Sequence, residues 1–100
     1  MPATYTAAPG ASDDAAIALV FAAEGLTPQR WSNGPGDTYA PHSHDYHKVL
    51  FCLRGSITFT LTDTGEAFEL KPGDRLDIAP GTRHSAIVGP GGVTCIEAAR

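Results

Sequence analysis

The sequence predicts an all-β domain of the sandwich or barrel type, preceded by one short helix. From Pro28 onward, short β-like runs are separated by Gly, Pro and Asp, which is the spacing typical of such folds. The segment 57–61 alternates large apolar residues with threonine, as a strand with one buried face does. A chain of 100 residues, 42% of them hydrophobic, is long enough for a single compact core.

The charge and composition of the chain exclude several functional classes. Seven basic and eleven acidic side chains give a net charge of −4, without the Lys/Arg cluster that a nucleic-acid backbone requires. The longest apolar run, 15–23, is too short to span a bilayer and follows two aspartates instead of a basic leader. We therefore expect a cytoplasmic protein without nucleic-acid or membrane partners. Cys52 and Cys95 are expected to be reduced buried thiols, with a disulfide as the alternative.

The N-terminal quarter of the chain predicts an arm and a helix. Residues 1–11 are small and rich in proline and glycine, so we expect an extended arm. Ser12 is a candidate N-cap before two aspartates, and Gly25 occupies a typical C′ position, which predicts a helix from about 13 to 24. Its apolar residues do not form a clean stripe, so a strand over 16–22 is the alternative.

The rest of the chain predicts a series of strands joined by short turns. Two of the turns, Arg54-Gly55 and Asp63-Thr64-Gly65, have hairpin composition. The run 49–53 is apolar on both faces, so either the helix or a second subunit should cover its outer side, and we expect a homodimer. The predicted strands cover about 28–33, 37–43, 47–53, 56–62, 66–71, 75–79, 84–89 and 93–98.

The four histidines are the strongest indication of a functional site. His42 and His44 are two residues apart, so on an extended backbone both imidazoles point to the same side and can reach one ion. His84 can join them only if the intervening strands fold back. His47 has the opposite parity and becomes an optional fourth ligand only if a β-bulge turns it.

The spacing of these histidines and of the surrounding glycines resembles that of the cupin superfamily, whose small β-barrels hold one metal ion between two motifs. The resemblance implies a small cupin barrel, a double-stranded β-helix or jelly roll, over residues 12–100. The first motif covers about 36–55 and the second about 73–88. The matching positions are Gly36, His42, His44 and Gly55 in the first motif, and Gly73, Gly81 and His84 in the second.

The chain departs from the family pattern at one ligand position. Lys48 stands where the family has a glutamate ligand, and an ammonium group has no lone pair to offer a metal ion. A lysine on a strand commonly reaches solvent, but Lys48 is also a candidate pocket residue together with Tyr39 and Phe59. Trp31 is expected in the core or in the pocket wall. The second motif has smaller departures, with its proline displaced to Pro80 and its asparagine replaced by Val88.

Three neutral imidazoles are a suitable donor set for a divalent transition metal such as Fe, Mn, Ni or Zn, and they leave coordination positions open. A site without a carboxylate ligand would carry a charge near +2 and would favour a small anionic or enolisable molecule. Some cupin dioxygenases resemble this three-histidine pattern, so oxygen chemistry is one hypothesis, without assigned catalytic residues. One alternative is a metal-free binding or sensor barrel, similar to those of sugar-responsive regulators. A metal-dependent isomerase or epimerase ranks third, because no base is evident.

Overall fold

The computed structural model describes residues 2–8, 10 and 13–100 and shows a β-barrel with one helix. Within this part of the chain, all strands belong to one antiparallel sheet with the order β1-β6-β4-β7-β2, in which β3 pairs with β7 and β5 pairs with β4. The predicted all-β fold with a short N-terminal helix is therefore confirmed. The elements are β1 (Ala3–Thr6), α1 (Asp14–Ala23), β2 (Gln29–Asn33), β3 (Thr38–His42), β4 (Lys48–Leu61), β5 (Ala67–Leu70), β6 (Arg75–Ile78) and β7 (His84–Ala99).

Two long strands, β4 and β7, form the axis of the barrel. They pair with each other from Lys48 opposite Ala99 to Leu61 opposite His84. The shorter strands β6 and β5 extend the sheet beside β4, while β2 and β3 extend it beside β7. β1, within the segment predicted to be an extended arm, pairs with β6. Each long strand thus replaces two of the strands that the sequence predicts.

The predicted hairpin at Arg54-Gly55 is wrong, because β4 continues through these residues. The register against β7 shifts between Cys52 and Arg54 and again between Gly55 and Ile57, so the segment is a β-bulge. Gly55 has a φ of +74°, and a glycine in this conformation can insert an extra residue into a strand without reversing the chain. A glycine with positive φ is common to bulges and hairpin turns, which explains the error.

The second predicted hairpin, around Asp63-Thr64-Gly65, is confirmed as the connection between β4 and β5. Gly65 also has a φ of +74°, and its N–H donates to the carbonyl of Leu61 at 2.8 Å. The N–H of Leu61 in turn donates to the carbonyl of Glu66 at 2.8 Å. These two bonds close the turn and start the pairing of β5.

The predicted helix is confirmed as α1, and the alternative strand is not formed. The N-cap is Asp13, whose Oδ1 accepts a hydrogen bond from the N–H of Ala16 at 2.8 Å. Gly25 follows the helix at the predicted C′ position and donates to the carbonyl of Ala22 at 3.0 Å. Ser12, the predicted N-cap, lies outside the described residues. No helix in the described ranges is long and apolar enough to cross a bilayer.

The core has two parts, one on each face of β4. Leu50 and Cys52 point into the barrel, where they pack with buried residues of the other strands. Val49 and Phe51 point outward and pack against α1, and the rings of Phe21 and Phe51 meet edge to face at 5.7 Å. The helix therefore covers the outer face of the 49–53 run, so this run gives no reason to require a second subunit.

The two cysteines are directly opposite each other on β4 and β7. Cys52 pairs with Cys95 in the register, and both are completely buried and free. A side-chain hydrogen bond with Cys52, together with burial, raises the pKa of the Cys95 thiol far above its usual range. The Cys95 thiol is therefore protonated at neutral pH and packs as a small apolar group.

We predict that alanine is tolerated at Gly65 but not at Gly55, although the backbone conformation is the same at both. A Cβ on Gly65 meets no atom of the described residues within 4 Å, so Gly65→Ala costs only the left-handed backbone strain, about 1–2 kcal/mol. A Cβ on Gly55 would lie 1.9 Å from the backbone oxygen of Gly92. Gly55→Ala should therefore lower the free energy of unfolding by at least about 2 kcal/mol more.

Urea unfolding of the two variants measures this difference, and the Gly65 variant serves as the control for backbone strain. Equal losses of stability in the two variants would contradict the close contact between β4 and β7 at the bulge.

Candidate metal centre

The pairing of β3 with β7 brings the candidate ligands together. His42, the last residue of β3, is directly opposite His84, the first residue of β7. His44 follows two residues after the end of β3, and its ring centroid lies 4.8 Å from that of His42 and 5.4 Å from that of His84. One ring nitrogen from each of the three side chains lies within 4.8 Å of the others. The barrel thus gathers three imidazoles at one point.

Backbone carbonyls fix the tautomers of two of these imidazoles. The Nδ1 atom of His42 lies 2.7 Å from the carbonyl oxygen of Ala40, and the Nδ1 atom of His84 lies 2.9 Å from that of Thr82. A carbonyl oxygen can only accept a hydrogen bond, so each Nδ1 carries the proton and donates it. The lone pair is then on Nε2. Metal-binding histidines are commonly oriented by a second hydrogen bond of this kind.

The Nε2 atoms of His44 and His84 are buried and have no hydrogen-bond partner among the described residues. A buried nitrogen without a partner costs on the order of 1–3 kcal/mol, and two of them here belong to one cluster. Burial, together with the nearby charge of Lys48, lowers the pKa of both imidazoles, which favours the neutral form that metal binding needs. His44 and His84 therefore fit a metal ion in charge state and in free lone pairs, and the hydrogen bond at Nδ1 of His42 leaves its Nε2 as the donor atom.

Lys48 does not reach solvent, so that expectation is wrong. It is the first residue of β4 and lies on the same face as Leu50, so its side chain points into the barrel and is only 11% exposed. Its Nζ lies 3.2 Å from Oε1 of Glu97 on β7. The residue at the family's glutamate position is thus a buried cation with its own carboxylate partner, and it is not a metal ligand.

A cavity of about 270 Å³ opens beside the imidazoles. Tyr39, Lys48 and Phe59, which the sequence analysis names as pocket residues, all line it. The ring of Tyr46 stacks on that of His44 at a centroid distance of 4.8 Å. The lining residues are Trp31, Tyr39, His42, His44, Tyr46, Lys48, Phe59 and Glu97.

The sequence analysis missed two of these cavity residues, Tyr46 and Glu97. Glu97 carries a detectable signal, because it is the acidic residue in the apolar run 93–98 and has the same parity as the buried Cys95. A charged residue on the inner face of a strand suggests a buried partner. Tyr46 lies in the loop between β3 and β4, where no periodicity indicates its direction.

His47, the optional fourth ligand, is not part of the group. Its Nε2 lies 3.1 Å from Oδ1 of Asp77 on β6, away from the other three histidines. Asp77 also accepts a hydrogen bond from Nε of Arg75 at 2.8 Å. Burial alone would raise the pKa of Asp77, but the hydrogen bonds with Arg75 and His47 lower it. His47 thus belongs to a polar cluster that the site does not use.

The sequence confirms the family that the fold and the histidine positions indicate. The family model for the cupin domain matches residues 30–95, which is more than half of the chain. The chain belongs to the cupin family. The matched region includes all three clustered histidines, the bulge in β4 and most of both long strands of this cupin.

Three relatives show the range of proteins to which this cupin is similar. Quercetin 2,3-dioxygenase of Bacillus subtilis (strain 168) is 43% identical over 56 residues, which are 54% of this chain and 16% of that protein. The polyketide cyclase RemF of Streptomyces resistomycificus is 27% identical, with a TM-score of 0.67 over 74% of this chain and 53% of that one. The DMSP lyase DddQ of Ruegeria pomeroyi DSS-3 is 21% identical, with a TM-score of 0.68 over 75% and 38% of the two chains. The cupin therefore spans about half or less of the length of these relatives.

We predict that the tag-free cupin takes up one Co²⁺ ion per chain and that the three clustered histidines are needed for it. His42→Ala and His84→Ala each remove a nitrogen donor, so the affinity should fall at least about tenfold. His47→Ala is the matched control and should bind Co²⁺ like the parent, because His47 faces Asp77. Cobalt absorption bands and calorimetry measure the binding.

Circular dichroism of the metal-free variants would show that each one is folded. No uptake by the parent, or an equal loss in the His47 variant, would contradict the assignment of the site.

Proposed function

We propose that this cupin binds a divalent transition metal, of the Fe, Mn, Ni or Zn class, through His42, His44 and His84. We further propose that it uses the ion for dioxygenase-like chemistry on a small anionic or enolisable molecule. The observation that carries the proposal is the pair of buried Nε2 atoms, of His44 and His84, which have no partner among the described residues and face the same cluster.

The donor chemistry supports a transition metal over calcium or magnesium. Imidazole nitrogens suit Zn, Fe, Ni and Cu, whereas Ca²⁺ and Mg²⁺ prefer oxygen ligands. Three protein ligands also leave positions for a small molecule, as catalytic sites do and closed structural sites do not. The cavity of about 270 Å³ lies directly beside the cluster and provides the space.

The charge balance supports an anionic or enolisable substrate. Lys48 and Glu97 offset each other, and imidazoles bind a metal ion as neutral ligands, so a bound divalent ion would leave the site with a net positive charge. The ion would supply Lewis acidity that favours the deprotonated form of an enol or an acid. The aromatic walls, including Tyr46 against His44 and Phe59 near His84, limit the access of water to that form.

The resemblance to quercetin 2,3-dioxygenase supports oxygen chemistry, because quercetin is an enolic polyphenol and the name of that enzyme states its reaction with dioxygen. That similarity covers 54% of this chain, so it does not identify the substrate of this cupin.

An isomerase or epimerase would need a base beside the substrate. His47, the remaining histidine, is directed towards Asp77.

A metal-free binding or sensor barrel is the second candidate function, and Lys48 is the observation that favours it. A buried cation near the imidazoles disfavours a metal ion electrostatically. The ion pair with Glu97 offsets this repulsion, so we rank the metal site first.

The homodimer, the cytoplasmic location and the lack of nucleic-acid or membrane partners stay predictions from the sequence.

We expect the Fe²⁺-loaded parent to consume oxygen with a member of a small panel composed of acetylacetone, cysteine, mandelate and a flavonol. His84→Ala, which lacks one ligand, should consume oxygen at least about tenfold more slowly with that compound. An oxygen electrode measures the rates. The His47→Ala variant is the control, because it also loses a histidine but keeps all three proposed ligands. A parent that binds metal but consumes no oxygen with any compound would support the binding or sensor role instead.

A further inference from the structure

Lys48 has the properties of an anion-binding group that faces the cavity. Its side chain points into the barrel, and within the described residues its ion-pair partner is Glu97, at 3.2 Å. An ammonium group carries three donors, and one carboxylate oxygen uses only one of them. The remaining donors are therefore available to a ligand in the cavity that Lys48 lines.

A hydrogen bond from Trp31 holds the carboxylate partner of Lys48 in place. Nε1 of Trp31 donates to the same Oε1 atom of Glu97 at 2.6 Å. Because this oxygen receives both the indole N–H and the ammonium group, its negative charge is shared between two donors. Glu97 thus positions Lys48 at the cavity wall and leaves donors of the Lys48 ammonium group free to bind an anion.

The other walls of the cavity suit a flat apolar group. Trp31, Tyr39, Tyr46 and Phe59 line it, and the rings of Trp31 and Tyr39 meet edge to face at 5.8 Å. Aromatic side chains pack favourably against another ring in offset or edge-to-face arrangements. The volume of about 270 Å³ is below the range of roughly 300–1,000 Å³ usual for drug-sized ligands. One ring with a short substituent suits this size better than a fused or multi-ring molecule.

From these observations we propose that Lys48 is a specificity-determining residue that anchors the carboxylate of a small, single-ring aromatic acid in this cavity. The identity of this ligand as a substrate rests on the proposed function. The anchoring uses the donors of the Lys48 ammonium group that Glu97 leaves free and needs no metal ion, so it holds in the metal-free protein as well. The acid lies with its ring between the aromatic walls and its carboxylate on the ammonium group.

A purely structural role for the ion pair makes a different prediction. Removal of one partner of a buried ion pair lowers stability, because the other charge is left unpaired. If Lys48 and Glu97 only fill the barrel, replacing the ammonium with an apolar side chain of similar length changes stability but has no effect on which ligands bind. Two ligands that differ in charge therefore distinguish a role of Lys48 in ligand recognition from a role in packing.

The experiment is a titration of the metal-free protein with benzoate and with benzamide, two probes of similar shape that differ in charge. Trp31 is the single tryptophan of the chain and lines the cavity, so its fluorescence reports binding. The variants are Lys48→Met, which keeps the length of the side chain but removes the charge, and Lys48→Arg, which keeps the charge. Urea unfolding shows that each variant is folded.

We expect the parent to bind benzoate at least about tenfold more tightly than benzamide, since a charged pair in a partly desolvated site is worth at least that factor. Lys48→Met should lose this preference, and Lys48→Arg should retain most of it. An equal affinity of the parent for the two probes would overturn the proposal, as would unchanged benzoate binding in Lys48→Met. If Lys48→Met does not fold, the comparison of the probes in the parent decides.

A separate titration with Co²⁺ distinguishes this inference from the proposed function. A parent that binds cobalt normally but shows no preference for benzoate over benzamide would reject the anchor alone. A clear benzoate preference in a protein that takes up no cobalt would reject the metal-dependent activity and support the anchor in a binding barrel.

Discussion

The pairing of β3 with β7 is the constraint on which the candidate site depends. It sets His42 opposite His84, residues that are far apart in the sequence, and it leaves His44 two positions beyond the end of the strand. The pairing of β7 with β4 then buries His84 completely, opposite Leu61. The Nε2 atoms of His44 and His84 are consequently buried, without a hydrogen-bond partner among the described residues. Such unpartnered buried nitrogens cost free energy, which a bound ion would offset.

The exchange of the family's glutamate for Lys48 changes the charge at this point of the barrel. A glutamate ligand would neutralise part of the charge of a metal ion, whereas Lys48 and Glu97 neutralise each other beside it. The positive field of a bound ion would then be left for a small molecule in the cavity. The aromatic walls and the buried ion pair lie on the same side of the imidazoles, so recognition of a ring and of an acid group can occur in one space. The charge and shape of the cavity together indicate a narrower class of ligand, a small aromatic acid, than the cupin fold alone does.

Local chemistry explains the parts of the fold that could be predicted. The helix, the turn at Gly65 and the alternation in 57–61 depend on neighbours in the sequence, and His42 and His44 share a side because of strand geometry. The bulge at Gly55 is predicted as a hairpin turn, because both structures need the same glycine. Only the continuous pairing of β4 with β7, which is not local, distinguishes them. The burial of Lys48 was also missed, since its partner Glu97 is distant in the sequence. The third candidate ligand, His84, is predicted from the family spacing, not from periodicity.

X-ray absorption spectroscopy of the tag-free protein loaded with one equivalent of Zn²⁺ tests the central claim most directly. The account predicts a first shell of nitrogen and oxygen atoms at about 2.0–2.1 Å, with the multiple-scattering signal of three imidazoles. A shell with fewer imidazoles would contradict it. So would a sulfur ligand at about 2.3 Å, which would place the ion at Cys52 and Cys95 instead.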